Sequence, residues 1–73
     1  MNELHTFQSE FESVLQEKHV VRCDIELANL MVRMEQHYEI PMLKDQMWEN
    51  QHTDIIQLYR IISDTRSLVE SLS

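Results

Sequence analysis

The chain has 73 residues, of which 13 are acidic and 6 are basic, so its net charge is −7. An acidic chain repels the phosphate backbones of nucleic acids and the anionic surface of a membrane, so we expect neither as a direct partner. The composition includes no glycine, which excludes phosphate-binding loops, the dinucleotide fingerprint and EF-hand loops. We expect a single helical domain over residues 1–73, with a core that is marginal without a second copy or a partner.

The first predicted element runs from Glu3 to about His37. Its apolar residues form two stripes with helical spacing, and a five-residue step from Leu15 to Val20 separates the stripes. We predict one continuous helix whose stripe drifts across this step. The alternative is a break near residues 18–24, with Asp24 as the N-cap of a second helix. The first stripe consists of Leu4, Phe7, Phe11 and Leu15, and the second of Val20, Cys23, Leu27, Leu30, Met31 and Met34.

Pro41 marks the clearest break in the chain. Proline disfavours helix at the residue before it and is tolerated in the first turn of the next helix. We therefore predict a turn at about residues 38–41 and a new helix from Met42.

The second half again has helical spacing, from Met42 to about Leu72. Residues 49–53 are wholly polar, which predicts either one helix or a short helix over 42–49 followed by a main helix over 54–72. In the second case Thr53 or Asp54 is the expected N-cap. The apolar residues of this half are Leu43, Met47, Trp48, Ile55, Leu58, Tyr59, Ile62, Val69 and Leu72.

No stretch alternates apolar and polar residues, so we predict an all-α fold. The expected architecture is an antiparallel helical hairpin of two long helices, with breaks into three or four helices as the alternative. Because one neighbour covers only part of each apolar stripe, we expect two hairpins to pair as a homodimeric four-helix bundle.

The spacing of Glu49 and His52 is the only local pattern with known metal chemistry. A Glu-x-x-His motif places a carboxylate and an imidazole on one helix face, as in di-iron bundles. The first helix offers no glutamate on its apolar stripe to complete such a site. We therefore assign no metal ligand, no cofactor and no catalytic residue, and we interpret Cys23 as a buried structural thiol. A carboxylate and histidine metal bundle remains the second alternative function.

The region around the turn is rich in methionine and aromatic residues, which favour adaptable binding surfaces and binding hot spots. We favour a plug that closes the end of the core, and the competing interpretation is a partner-binding surface; the two can overlap in a dimer. The candidate residues are Met31, Met34, Tyr38, Met42, Met47 and Trp48.

Over about 30 residues the second half resembles the needle and inner-rod subunits of bacterial type III secretion systems. The matching positions are Pro41, Met42, Leu43, Gln46 and Ile55. That resemblance implies a short helical hairpin that assembles into filaments. The first half does not share it, so we assign no family and transfer no functional residue.

We expect a small, cytoplasmic, non-enzymatic interaction or regulatory protein that docks on its partner by helix-to-helix contact. The single cysteine fits a reducing compartment, and the polar start of the chain predicts no signal peptide. The negative charge is compatible with a basic protein partner, although solubility alone also explains it. The alternative is an acidic antagonist that blocks a basic nucleic-acid-binding partner. That alternative needs acidic residues exposed along one face, including Glu10, Glu17 and Glu35.

Overall fold

A computed structural model describes residues 3–72 of the chain. Those residues form four helices and no strand, which confirms the all-α prediction. The helices pack compactly in one unit. Their bounds are α1 (Glu3–Val14), α2 (Val20–Tyr38), α3 (Gln46–Gln51) and α4 (Thr53–Ser71).

The longest helices, α2 and α4, form an antiparallel pair. Near the start of α2, Arg66 Nε donates to Asp24 Oδ1 over 3.0 Å. Near its end, the Tyr59 hydroxyl donates to the Glu35 carboxylate. This pair corresponds to the predicted hairpin.

Helix α1 is a separate helix that packs on α2 rather than an extension of α2. It folds back antiparallel to α2, and Arg33 of α2 donates two hydrogen bonds to the Glu10 carboxylate of α1, at 3.2 and 2.5 Å. At the other end of the pair, His37 contacts Glu3. The apolar stripe of α2 is therefore covered on two sides by its own chain.

The core lies where these three helices meet. Leu27, Leu30 and Met34 of α2 and Ile62 of α4 are fully buried. Their spacing along α2 is the helical repeat that places side chains on one face. The same cluster also includes Phe11, Cys23 and Leu58.

The prediction of one continuous first helix is wrong, because α1 ends at Val14 and α2 begins at Val20. The break covers residues 15–19, so it begins before the alternative range of 18–24 and overlaps it at residues 18 and 19. Turn hydrogen bonds close it, from the amides of Leu15, Gln16 and Glu17 to carbonyls three or four residues earlier. The five-residue step explains the break, since a continuous helix cannot keep both stripes on one core face.

The predicted cap at Asp24 is wrong as well. His19 is the N-cap of α2, with extended backbone and no side-chain cap hydrogen bond. Its amide donates instead to Glu17 Oε1 over 3.1 Å. Asp24 lies inside α2 and pairs with Arg66.

Helix α2 ends at Tyr38, and Glu39 then adopts the left-handed conformation with φ of 54°. This position normally favours glycine, which the chain lacks, so a non-glycine residue takes it at a cost of about 1 kcal/mol. The prediction that a helix begins at Met42 is wrong. Helix α3 begins only at Gln46, after Asp45 caps it by accepting from the Trp48 amide over 3.1 Å.

The short and main helices of the second half are both present, and His52 separates them. Thr53 is the first residue of α4, and Asp54 follows it in the first turn, so the prediction of either as N-cap is wrong. His52 takes that position because its Nδ1 lies 2.8 Å from the Trp48 carbonyl oxygen, which fixes the chain between α3 and α4.

Candidate interaction surface

The structure divides the six predicted partner-binding residues between the core and the surface. Met34 is fully buried, and Met31 and Tyr38 are partly buried against the core cluster. These three residues stabilise the fold from inside. Met42 and Met47 lie on the surface with exposed fractions of 102% and 72%.

Trp48, the sixth predicted residue, is partly buried on α3. Its ring stacks on the His52 ring, with 4.2 Å between the ring centroids and 19° between the planes. This stacking holds the tryptophan beside the non-helical connection between α2 and α3. Trp48 also lines the same groove as Met42 and Leu43.

Met42, Leu43 and Met47 form what we call the connection patch. Leu43 was not among the predicted binding residues, and it is 84% exposed. Met42 and Leu43 are held in place from both ends, by the Glu39 turn that closes α2 and by the Asp45 cap that opens α3, and Met47 follows in α3. Adjacent large apolar side chains with this exposure are unfavourable in water, and such patches mark interaction sites.

A groove of about 240 Å³ lies beside the connection patch. This volume is below the range of about 300–1,000 Å³ that is usual for small-molecule sites. The groove is therefore suited to one or two side chains of another protein. Its apolar lining includes Pro41, Met42, Leu43, Trp48, Ile56 and Tyr59.

The two residues of the Glu-x-x-His motif already have partners within the chain. The Glu49 carboxylate pairs with Arg60, and His52 Nδ1 is occupied by the Trp48 carbonyl. Within residues 3–72 no group of three or more His, Cys, Asp or Glu residues is arranged to hold a metal ion.

The three acidic residues that the antagonist alternative requires are bound within the chain. Glu10 pairs with Arg33, and Glu35 accepts from Tyr59. Glu17 accepts the His19 amide, which lowers the pKa of its carboxyl. Burial, together with the Glu35 contact, raises the pKa of Tyr59 to about 12. Glu10 and Glu35 connect neighbouring helices, and Glu17 contacts the connection between α1 and α2. The three carboxylates therefore serve contacts within the chain rather than forming an exposed acidic row.

All four arginines of the chain are likewise paired within it. Arg33 reaches α1, Arg60 reaches α3, and Arg66 reaches α2, while Arg22 lies 4.0 Å from Glu17 in the preceding turn. Arg66 also contacts Glu70, one turn along its own helix. No ion pair involving Lys18 or Lys44 forms among the described residues.

Cys23 has no feature of a reactive thiol. It is buried, and its Sγ lies 3.8 Å from the Val14 carbonyl oxygen. Burial, and then the nearby Glu26, raise the pKa of the thiol. A raised pKa leaves little thiolate at neutral pH, so Cys23 is a poor nucleophile.

A second apolar surface on α2 is absent from our sequence predictions. Val21, Ile25, Ala28 and Val32 follow one another at steps of four, three and four residues, and we call them the outer stripe. Val21, Ile25 and Val32 have exposed fractions of 66%, 54% and 47%. The helical spacing of the outer stripe is present in the sequence, beside the core stripe of larger leucine and methionine residues.

No protein-family model, curated protein or solved structure matches this chain. None of the helices in residues 3–72 is long and apolar enough to cross a membrane. The fold and surface thus define a class, a small all-α protein with large exposed apolar residues on α2, on α4 and in the region between α2 and α4. They do not assign it to a family.

Proposed function

We propose that this protein is a small, non-enzymatic interaction protein that docks on another protein through the connection patch. The observation that carries the proposal is the exposure of Met42 and Leu43, two adjacent apolar side chains on a short segment fixed at both ends. Methionine adapts its shape to different partners, which suits it to a docking surface.

The charge around the patch indicates the chemistry of the partner. Glu39 and Asp45 flank Met42 and Leu43 and are exposed, while Lys44 is the one basic residue between them. The whole chain carries −7. The occupant that fits is a protein segment with one or two large apolar side chains bordered by basic residues. Apolar contact supplies the affinity, and opposite charge steers the encounter.

The proposed function is regulatory rather than catalytic. Cys23 is buried, and Glu49 and His52 are occupied by intramolecular contacts. The single cysteine fits a reducing compartment, so we place the protein in the cytoplasm.

Self-association is also part of the proposal, but not through the core stripes. Leu27, Leu30, Met34 and Ile62 are fully buried in one chain. Pairing two chains into a four-helix bundle through these residues requires each core to open. A dimer that keeps the fold needs a different surface.

Site-specific photocrosslinking tests the docking surface. A photoreactive amino acid replaces Met42 in one variant and Gln57, an exposed residue of α4, in a matched control. After irradiation in a cell extract, the proposal predicts crosslinked proteins for position 42 that are absent for position 57. These adducts should disappear when Leu43→Ser and Met47→Ser are added. Identical adducts at both positions would contradict the proposal.

The salt dependence of the same crosslinks separates docking from the antagonist alternative. Apolar docking persists at high salt, whereas an acidic mimic loses its basic target as salt screens the charges. Capture that disappears at high salt and is unaffected by Leu43→Ser would favour the antagonist. Bound iron, manganese or zinc in the purified protein would favour the metal alternative.

A further inference from the structure

The outer stripe of α2 lies opposite its core face. Each of its residues precedes a core residue by two positions, and two residues of an α-helix correspond to about 200° of rotation. Thus Val21 precedes Cys23, and Val32 precedes Met34. Among the described residues, α1 and α4 pack on the core side of α2 and leave Val21, Ile25 and Val32 exposed, while Ala28 is partly buried.

Polar contacts border the outer stripe on both sides. On one side, Asp24 and Glu35 connect α2 to α4. On the other side, Arg33 connects α2 to α1. The stripe is therefore an apolar ridge between two fixed polar borders. That arrangement corresponds to an interface with an apolar centre and a polar rim.

We propose that the outer stripe is the contact surface for a second copy of this chain, with the two α2 helices antiparallel. Steps of four, three and four residues read the same in both directions. An antiparallel copy therefore places Val21 opposite Val32 and Ile25 opposite Ala28, a large side chain against a small one. A surface that matches itself in this way is what a two-fold homodimer requires. The same spacing is that of a coiled-coil seam.

Charge at the two ends of the stripe selects the same arrangement. Lys18 is exposed in the connection before α2, three residues before Val21, and Glu35 lies three residues after Val32. Antiparallel pairing brings Lys18 of each copy towards Glu35 of the other. Parallel pairing places Lys18 beside Lys18 and Glu35 beside Glu35, where like charges repel.

The ridge is short, so the dimer is expected to be weak. Residues 21–32 span about 17 Å of helix, and two such ridges form an interface near the lower end of the range for specific complexes. We expect dissociation in the micromolar range, so the monomer and the dimer exchange with concentration. This inference does not depend on the connection patch, which lies outside α2.

Sedimentation equilibrium over about 1 µM to 1 mM, a range that covers weak dissociation constants, tests the proposal. Ile25→Glu should raise the dissociation constant more than about 100-fold, because each dimer then buries two unpaired carboxylates. The matched control is Ile61→Glu on α4, since Ile61 has an exposed fraction of 52% against 54% for Ile25. The control should dimerise like the native chain. Circular dichroism verifies that both variants remain folded.

A charge exchange tests the antiparallel orientation. Lys18→Glu should weaken the dimer about three- to tenfold, and the double variant Lys18→Glu with Glu35→Lys should restore it. Because Glu35 also accepts a hydrogen bond from Tyr59, Tyr59→Phe serves as a control that keeps the charge. It should leave dimerisation unchanged.

Three outcomes overturn the inference. They are a native chain that is monomeric over the whole range, a dimer that Ile61→Glu breaks and Ile25→Glu does not, and a charge exchange that fails to restore the dimer. Leu43→Ser with Met47→Ser should leave dimerisation intact. Failure of the docking proposal is thereby distinguishable from failure of this one.

Discussion

Helix α2 has two apolar faces that lie in very different environments. One face is buried among α1 and α4, and Leu27, Leu30 and Met34 there have no exposed surface. The opposite face has Ile25 and Val32 with about half of their surface in water. Both faces have helical spacing. The difference teaches that spacing identifies apolar faces, whereas the neighbouring helices decide which face becomes the core.

Side-chain shape follows the same division. The buried face has Cys23, leucines and Met34, whose side chains are not branched at Cβ, and the outer stripe has β-branched valine and isoleucine with one alanine. Long, flexible side chains fill a core between three helices. Stiff β-branched side chains form a regular ridge of the kind found at helix seams.

The largest expected effect is the loss of stability when apolar atoms are removed from the core face of α2, compared with the same removal from the outer stripe. Leu30→Ala should lower the free energy of unfolding by about 2–5 kcal/mol, because Leu30 is fully buried and leaves a cavity. Val32→Ala should change it by less than about 1 kcal/mol in the monomer. Urea denaturation, at a protein concentration low enough to keep the chain monomeric, measures both free energies of unfolding. Equal losses would abolish the distinction between the faces.

Thiol labelling compares the two faces within one molecule. Cys23 is 6% exposed on the core face, and Val21→Cys introduces a second thiol at a position that is 66% exposed. A thiol reagent should label this variant in two phases, with Cys23 slower by about 100-fold or more because it reacts only after local opening. A single fast phase for both thiols would show that the core face is open.

Substitution of Tyr59 tests the polar border between the core face of α2 and the outer stripe. Its hydroxyl donates to Glu35, so Tyr59→Phe should cost about 1 kcal/mol of unfolding free energy, measured by thermal denaturation. The folded pKa of Tyr59 is raised from 10 to about 12 by burial and by Glu35. Its contribution to stability is therefore complete below pH 10 and is lost as the pH rises through 12.

The pH dependence supplies the control for Tyr59. Stability should fall between pH 10 and 12 more steeply in the native chain than in Tyr59→Phe. Tyr38, whose pKa is also raised by burial and then by Glu3, contributes to both curves. Identical slopes in this range would show that Tyr59 does not bridge α2 and α4.

The smallest expected effect concerns the opposite border. Arg33→Gln removes the ion pair with Glu10, and both side chains are partly exposed. The loss should be below about 1 kcal/mol and should shrink further at high salt. A loss of several kcal/mol in the same denaturation assay would show that this pair, rather than the apolar core, holds α1 on α2.

The sequence predicted the all-α class and the core stripe of α2, and it left the separation of a short helix from α4 as one of two alternatives. It did not predict that α1 folds back onto α2. The five-residue step before Val20 signalled a phase change, but only the packing of α1 back onto α2 shows that the helix ends before it. The arginine partners were also inaccessible to sequence reasoning, because Arg60 and Arg66 reach residues 11 and 42 positions away.

The candidate surface was predicted in part. Met42 and Met47 are exposed, but Met34 is buried because it belongs to the repeat of Leu27 and Leu30. Methionine content alone does not separate these cases, since methionine suits both cores and binding surfaces. Leu43 is exposed because Glu39 and Pro41 keep residues 40–45 out of a helix. The sequence prediction of a helix from Met42 did not anticipate this non-helical segment.

The central claim is that one face of α2 holds the fold together while the other meets a second copy. Nuclear magnetic resonance spectra recorded during dilution of the native chain test it most directly, because each methyl group reports its own environment. The account predicts concentration-dependent shifts for the methyl groups of Val21, Ile25 and Val32, and constant shifts for Leu30. Shifts centred on Ile61 and Leu68 of α4, or no shifts up to about 1 mM, would contradict it.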